Sequence, residues 1–132
     1  MRSACLPLLF LATSLGCTSY VSPSVTDVDA TEAWDLSRKA GVLVLDVRTN
    51  VEFDAGHIRG AKNIHYKKLA ARIKDLAGKR NSPILVHCTR GVRSAWASKT
   101  LDENGFKKIY HFRGGMDAWS AANYPVIKET HR

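Results

Sequence analysis

Short apolar runs alternate with amphipathic stretches along most of this sequence, from Val25 onward. The β-prone apolar runs predict strands at 42–45, 61–65, 83–87 and 108–112. The amphipathic stretches, several of them closed by a glycine, predict helices at 29–39, 67–77, 91–104 and 115–122 and a turn of helix at 51–55. Strands that alternate with helices build a parallel sheet with helices on both faces, so the pattern predicts an α/β fold.

The composition agrees with one folded domain. The chain has 132 residues, of which 45% are hydrophobic and 24% charged, and this excludes both a large multidomain enzyme and a mainly disordered protein. We expect the domain at 25–127 and a tail at 128–132. The net charge of +8 is spread along the chain and forms no basic block, so no nucleic-acid partner is expected. The charge indicates either a preference for small anions or simply a solvated basic surface.

The first 17 residues are typical of a secretory signal peptide, because one Arg precedes an uncharged, Leu-rich stretch that ends in small residues. This stretch is shorter than the ~20 apolar residues of a membrane-spanning helix. Ser14-Leu15-Gly16-Cys17 resembles the bacterial lipoprotein cleavage box, which predicts lipidation at Cys17 and a tether at 18–24. An ordinary signal-peptidase cut is the alternative. Both predict an exported, periplasmic protein, and contact with a membrane is expected only where an N-terminal lipid is attached.

Export changes what the three cysteines can do. Cys5 leaves with the signal peptide and Cys17 is lipidated or lies at the start of the mature chain, so the domain keeps only Cys88. One cysteine cannot form an internal disulfide. A single thiol in an oxidising compartment is either buried and inert or present to react.

The sequence around Cys88 favours a reactive thiol. Cys88 follows a predicted strand and precedes a predicted helix, and this end of the strands is where open α/β sheets bind ligands. Backbone N–H groups at a helix start favour a thiolate, and Arg90 and Arg93 add positive charge, while Gly91 permits a tight turn. The alternative is a small buried cysteine beside two surface arginines. Cations are unfavourable at a helix start, so two of them indicate an anion site.

Several short motifs around this loop, in order over residues 25–125, carry a family resemblance. They are Asp46-Val47-Arg48, Glu52-Phe53, Gly56-His57-Ile58-Arg59-Gly60-Ala61, Asn63-Ile64, the loop at 87–94, Gly105-Phe106 and Gly114-Gly115-Met116-Asp117-Ala118-Trp119. Together they resemble a single-domain rhodanese, a thiosulfate sulfurtransferase of the exported bacterial type. The resemblance implies a five-stranded parallel sheet, no cofactor, and sulfur transfer from a small anionic donor through a cysteine persulfide to cyanide or a thiol.

The resemblance and the loop chemistry together assign the site residues. Cys88 is expected to be the nucleophile and persulfide carrier, and Arg93, with Arg90 as second candidate, to attract the sulfonate of thiosulfate. The amides expected to hold the transferred sulfur belong to Thr89, Arg90, Gly91, Val92 and Arg93.

Other conspicuous residues receive structural roles. Asp46 and Arg48 are expected to brace loops, and His57 to stabilise a turn, whereas His87 should face away from the loop and pack. Core packing is the expectation for Trp34, Trp96 and Trp119. The histidine spacing does not predict a metal site, and the protein is expected to be a monomer.

Two other functions stay open. Cysteine phosphatases and arsenate reductases use a similar anion-binding loop, but theirs is one residue longer than the four residues, 89–92, between Cys88 and Arg93 here. A transferred sulfur atom needs less space than a phosphoryl group, so the shorter loop favours sulfur chemistry. A persulfide carrier or binding domain without turnover is the second alternative.

Overall fold

The computed structural model describes residues 22–130. The predicted signal peptide, Cys17 and residues 18–21 of the predicted tether lie outside the described residues. Ser22 and Ser24 of that tether do contact the domain, since Ser22 is buried and the Ser24 carbonyl accepts a hydrogen bond of 2.9 Å from the amide of Ile109. No helix between residues 22 and 130 has the length and apolar character needed to cross a membrane.

Five parallel strands form one sheet in the order β1-β5-β4-β2-β3. Their bounds are β1 Val25–Val28, β2 Leu43–Asp46, β3 Lys62–Asn63, β4 Ile84–His87 and β5 Ile109–Phe112. Four of the five correspond to the predicted apolar runs. The predicted α/β fold with a five-stranded parallel sheet is confirmed.

The described residues form four α-helices: α1 Ala30–Ser37, α2 Asn50–Ala55, α3 Val92–Glu103 and α4 Gly115–Ala121. The first three connect strands, and α4 follows β5. The Asp29 carboxylate caps α1 by accepting a hydrogen bond of 2.9 Å from the amide of Glu32. A reciprocal capping box between Thr49 and Glu52 begins α2. Because a carboxylate or hydroxyl satisfies the first amides, both helices start at fixed residues.

The structure corrects one predicted helix. The segment predicted as a helix at 67–77 forms two 3₁₀ helices, Tyr66–Lys68 and Ala70–Lys79. In a 3₁₀ helix residues three apart share one line, which brings the buried side chains of Ile73 and Leu76 together against the sheet. The segment therefore buries the apolar face that the sequence pattern predicted, although its turns are 3₁₀.

The core has two halves, one on each face of the sheet. On one face α3 and the 3₁₀ segment cover the central strands, and the packed side chains include those of Leu45, Ile73, Leu76, Val86, Leu101, Phe106 and Ile109. On the other face α1 and α4 contribute Ala33, Met116 and Trp119, which pack on Val44, Leu85 and Phe112. Both faces of the central strand β4 are therefore shielded from water, which explains its continuous apolar sequence.

The strand register aligns the carboxyl ends of the central strands. His87 ends β4 and lies level with Asp46 of β2 and Phe112 of β5. The loops that follow these strands consequently emerge side by side at one edge of the sheet, and the loop after β4 begins with Cys88.

The segment after α4 folds back against the loop that follows α2. His57 and Ile127 exchange both backbone hydrogen bonds, at 2.9 and 2.8 Å. The amide of Glu129 donates to the carbonyl of Asp54 at 3.1 Å. The described C-terminal residues thereby hold α2 against the domain.

Candidate active site

The sulfur atom of Cys88 lies inside a ring of hydrogen-bond donors. The amides of Gly91 and Ser94 donate to Sγ at 3.1 and 3.4 Å, and the Ser94 hydroxyl lies 3.3 Å from it. The side chain is 1% exposed, yet polar groups of the loop and of the first turn of α3 surround the sulfur. This arrangement suits an anion at Sγ, because the donors and the helix dipole both favour negative charge.

The pKa of the Cys88 thiol is lowered. Burial acts to raise it, but the hydrogen bonds from the hydroxyl and amide of Ser94 and from the amides of Gly91 and Arg90 outweigh burial. The thiolate, which is the nucleophilic form, is therefore more populated near neutral pH than in an ordinary cysteine.

The start of α4 explains why the loop amides turn inward. The carbonyl oxygens of Cys88 and Thr89 accept hydrogen bonds from the amides of Met116 and Asp117, at 2.9 and 3.2 Å. Gly115 makes this approach possible, since its φ is +57° and a Cβ there would collide with those two carbonyl groups. With its carbonyls held outward by α4, the loop presents its N–H groups to the sulfur.

Arg93 is held beside the sulfur by two side chains. Its guanidinium donates to both carboxylate oxygens of Glu52, at 2.7 and 2.9 Å, and to the hydroxyl of Thr89 at 3.0 Å. Hydrogen bonding to Glu52 raises the pKa of Arg93, and Cys88 contributes in the same direction. Arg93 therefore keeps its charge and a fixed orientation near Sγ.

Arg90 occupies a different environment. Its side chain is 81% exposed and pairs with Asp117 at 2.9 Å. Both predicted arginines are paired with a carboxylate, Arg93 with Glu52 and Arg90 with Asp117. An anion at Sγ is therefore met first by backbone amides and the Ser94 hydroxyl. The positive charge of Arg93 is half-buried, and that of Arg90 lies in solvent.

Ser94 extends the site beyond the predicted residues. The predicted amides run from Thr89 to Arg93, whereas the structure adds both the amide and the hydroxyl of Ser94 at the sulfur. The Ser94 hydroxyl also lies 2.8 Å from Nε2 of His111, whose Nδ1 lies 3.1 Å from the carboxylate of Asp27. Val92 of the predicted set points its side chain toward solvent and is 70% exposed.

Asp46 and Arg48 form a buried ion pair with an N–O distance of 2.7 Å. Arg48 also donates to the carbonyl of Gly56 at 2.7 Å, and Asn63 donates to the carbonyls of both Asp46 and Arg48 at 3.0 Å. His57 approaches the carbonyl of Phe53 at 2.9 Å through Nδ1. These contacts join the end of β2 to the turn after α2, and the bracing roles of Asp46, Arg48 and His57 stay predictions.

His87 packs behind the site. It is fully buried and lies near Phe112, with ring centroids 6.5 Å apart, and its Nδ1 is 3.2 Å from the carbonyl of Cys88. Burial lowers the pKa of His87, so the ring is neutral at pH 7. Within residues 22–130 its Nε2 is the one buried side-chain nitrogen or oxygen atom without a hydrogen-bond partner.

Core packing holds for two of the three tryptophans. Trp119 is buried, and Trp34 stacks on Tyr124 with ring centroids 4.7 Å apart. The prediction for Trp96 is wrong, because this side chain is 61% exposed. The buried face of α3 contains Ser94 and Ser98 together with Ala97 and Leu101, so polar residues occupy positions where hydrophobic periodicity would place apolar ones.

Sequence reasoning missed four residues that touch the loop or the groups bonded to it, namely Asp27, Glu52, Ser94 and His111. Glu52 and Ser94 lay inside recognised motifs, which was the available signal for both. Asp27 and His111 carried none, because their pairing joins strands at opposite ends of the chain.

No group of three or more His, Cys, Asp or Glu side chains within residues 22–130 could hold a metal ion.

Comparison with known proteins places this geometry in a family. The model of the rhodanese-like domain matches residues 29–122. The thiosulfate sulfurtransferase GlpE of Coxiella burnetii is 34% identical over 90 residues, which cover 68% of this chain and 82% of that protein. The uncharacterized protein YqhL of Bacillus subtilis is 38% identical over 76 residues, which cover 58% of this chain and 59% of YqhL.

A solved structure agrees. The crystal structure of a rhodanese-related protein from Thermoplasma volcanium superposes with a TM-score of 0.69 at 30% identity, covering 78% of this chain and 98% of that one. By family model, sequence relatives and fold, the chain belongs to the rhodanese-like domain family of sulfurtransferases.

Proposed function

We propose that this protein is a thiosulfate sulfurtransferase that carries sulfur as a persulfide on Cys88. The observation that carries the proposal is the set of donors at Sγ, the amides of Gly91 and Ser94 and the Ser94 hydroxyl, all within 3.4 Å. These donors stabilise a thiolate before the reaction and a persulfide anion after it.

In the first half-reaction the Cys88 thiolate attacks the outer sulfur of thiosulfate. A new S–S bond forms at Cys88, the S–S bond of thiosulfate breaks, and sulfite leaves with the bonding electron pair. Charge is conserved, since the thiolate becomes a persulfide anion and the divalent donor releases divalent sulfite. The loop amides then face an anion one sulfur atom larger.

In the second half-reaction an acceptor attacks the terminal sulfur of the persulfide. Cyanide takes that sulfur as thiocyanate, and the electrons of the broken S–S bond return to Cys88 as a thiolate. A thiolate acceptor reacts in the same way and leaves as a persulfide. The enzyme is restored without a cofactor.

Arg93 suits the sulfonate end of the donor. Glu52 fixes the orientation of its guanidinium, so little side-chain freedom is lost when an anion binds. Arg90, at the exposed rim of the loop, adds a second positive charge for an approaching anion.

Persulfide formation tests the proposal directly. After incubation with thiosulfate, mass spectrometry should find one added sulfur on the Cys88 peptide, and later addition of cyanide should remove it as thiocyanate. The near-isosteric variant Cys88→Ser should lose both signals while keeping the circular dichroism spectrum of the wild type. Hydrolysis of an aryl phosphate without sulfur uptake would indicate a phosphatase instead, and uptake without release would indicate a carrier.

We also propose that the protein is exported and held at a membrane by a lipid on Cys17. The support is the sequence of residues 1–17 alone. In fractionated cells the wild type should sediment with membranes and Cys17→Ser should be soluble in the periplasm. A wild type that is periplasmic and soluble would support an ordinary signal peptide, and a cytoplasmic wild type would contradict export.

A further inference from the structure

A chain of hydrogen bonds runs from the buried sulfur of Cys88 to the protein surface. Sγ lies 3.3 Å from the Ser94 hydroxyl, that hydroxyl lies 2.8 Å from Nε2 of His111, and Nδ1 of His111 lies 3.1 Å from the carboxylate of Asp27. The first three side chains are buried, whereas Asp27 is 58% exposed. The chain therefore connects a group that must lose a proton to one that contacts water.

We propose that Ser94, His111 and Asp27 form a relay that moves the thiol proton of Cys88 to the His111 imidazole. The proposal deepens the proposed function and rests on it for the reaction that the thiolate then enters. Ser94 touches the reacting sulfur, while His111 and Asp27 act through Ser94 and are positioning residues.

The geometry selects one arrangement of protons before transfer. Asp27 only accepts hydrogen bonds when ionised, so Nδ1 of His111 carries the proton and Nε2 is free to accept one. The Ser94 hydroxyl then donates to Nε2, and its oxygen accepts the S–H of Cys88. Ser94 and His111 each accept one hydrogen bond and donate one, between the donor Cys88 at one end and the acceptor Asp27 at the other. This is the condition for passing a proton along the chain.

Transfer keeps every atom accounted for. The S–H bond of Cys88 breaks and its proton joins Ser94 Oγ, while the proton already on Ser94 forms a new N–H bond at Nε2. The products are a thiolate, an unchanged serine and an imidazolium. The Ser94 hydroxyl now donates to the thiolate, and the carboxylate of Asp27 stabilises the imidazolium.

The outer end of the relay opens onto a surface groove. This groove is lined by residues of β1, α3 and β5, among them Asp27, Lys99 and His111. A neighbouring groove, which is lined in part by Arg90 and Arg113, also reaches Asp27 and His111. The charged groups around His111 are thus Asp27 from β1, Lys99 from α3, Arg90 from the loop and Arg113 after β5. Asp27 is the acidic residue among them and the one bonded to the imidazole.

A purely structural explanation gives a different expectation. Buried polar groups require partners, and these hydrogen bonds could serve only that need. Asp27→Asn separates the two explanations, because asparagine keeps the size of the side chain and an oxygen that accepts from Nδ1 but removes the charge. A structural role then predicts no change in the ionisation of Cys88.

The test follows alkylation of Cys88 in the full chain by iodoacetamide as a function of pH, with the Cys88 peptide quantified by mass spectrometry. Only the thiolate reacts, and the assay needs neither thiosulfate nor an acceptor, so it can succeed or fail independently of sulfur transfer. Asp27→Asn should slow alkylation about threefold to tenfold at neutral pH, because a shift of one pKa unit is a tenfold change in thiolate fraction. The rate at the high-pH plateau should not change.

Asp35→Asn is the matched control. It removes one exposed carboxylate, which lies on α1 and pairs with Arg38, and its alkylation profile should coincide with that of the wild type. His111→Gln, which keeps an amide near the Ser94 hydroxyl but cannot accept a proton at neutral pH, should shift the profile in the same direction as Asp27→Asn. Profiles of Asp27→Asn and wild type that superimpose would overturn the relay.

A double variant separates the relay from a through-space effect of charge. Ser94→Ala removes the hydroxyl that links Cys88 to His111, so Asp27→Asn should have no further effect on the alkylation profile in the Ser94→Ala background. An equal shift in both backgrounds would show that Asp27 acts through its electric field, and the relay would be wrong.

Discussion

The carboxylate of Glu52 binds the guanidinium of Arg93 through two hydrogen bonds, at 2.7 and 2.9 Å, and joins α2 to the first turn of α3. The hydrogen bond from Arg93 is the main reason that the pKa of Glu52 falls from 4.5 to about 2, against an opposing effect of burial. The lowered pKa means that the ion pair stabilises the folded state whenever Glu52 is ionised.

Replacing Glu52 with Gln should destabilise the domain at pH 7 by about 1 kcal/mol, a value kept small because the pair is partly exposed to solvent. The unfolded carboxylate takes up its proton near pH 4.5 and the folded one near pH 2. The stability difference between wild type and Glu52→Gln should therefore shrink as the pH falls from about 4.5 toward 2. Urea denaturation at pH 7 and about pH 3 measures it, and a difference that grows at acid pH would contradict the assignment.

Arg93→Lys should weaken the use of thiosulfate more than Arg90→Lys does. Lysine cannot reproduce the two parallel hydrogen bonds to Glu52, so we expect KM for thiosulfate to rise about tenfold with a smaller change in kcat. Arg90 is exposed and pairs with Asp117, and a lysine there can keep the charge, so KM should rise less than about threefold. Steady-state kinetics of thiocyanate formation compare the two, and a larger effect at Arg90 would reverse their roles.

Gly115→Ala should be strongly destabilising. The added methyl group would collide with the carbonyls of Cys88 and Thr89 at a φ of +57°, so the expected loss is about 2 kcal/mol or more. Gly78→Ala is the matched control, because a Cβ there meets nothing within 4 Å, and its stability should stay within about 0.5 kcal/mol of the wild type. Urea denaturation of both variants tests this, and equal effects would show that the contact between the loop and α4 is not tight.

His87 should make stability fall in mildly acid solution. Burial lowers its pKa in the folded state, whereas the unfolded chain binds the proton near pH 6.5, so protonation favours unfolding as the pH drops below that value. His87→Leu lacks this group. The stability of wild type relative to His87→Leu should fall by about 1 kcal/mol between pH 7.5 and pH 5.5. A relative stability that is equal at both pH values would mean that folding leaves the pKa of His87 unchanged.

The sheet and the reactive loop could be predicted from the sequence because their signals are local. Cys88, Gly91 and Arg93 lie within six residues of one another between an apolar run and a helix, so one stretch of sequence contains the strand, the turn and the donors. The strand β1 escaped pattern analysis because its Thr26 and Asp27 are exposed at the sheet edge and leave no apolar run. Only the family resemblance supplied the fifth strand.

The partners of the loop could not be predicted because they come from distant parts of the chain. Glu52 precedes Arg93 by 41 residues, and Asp27 precedes His111 by 84. Such pairs depend on which strands become neighbours in the sheet, and the order β1-β5-β4 decides that Asp27 meets His111. Local periodicity contains no information on this order.

The backbone pairing of His57 with Ile127 has a consequence for the timing of folding during synthesis. Glu52 reaches Arg93 from α2, and α2 is secured by two residues that follow α4, Ile127 and Glu129. A ribosome must therefore release the chain as far as Glu129 before this helix is fixed. Cys88 is therefore synthesised before Ile127 and Glu129, the residues that fix α2 and with it Glu52, the partner of Arg93.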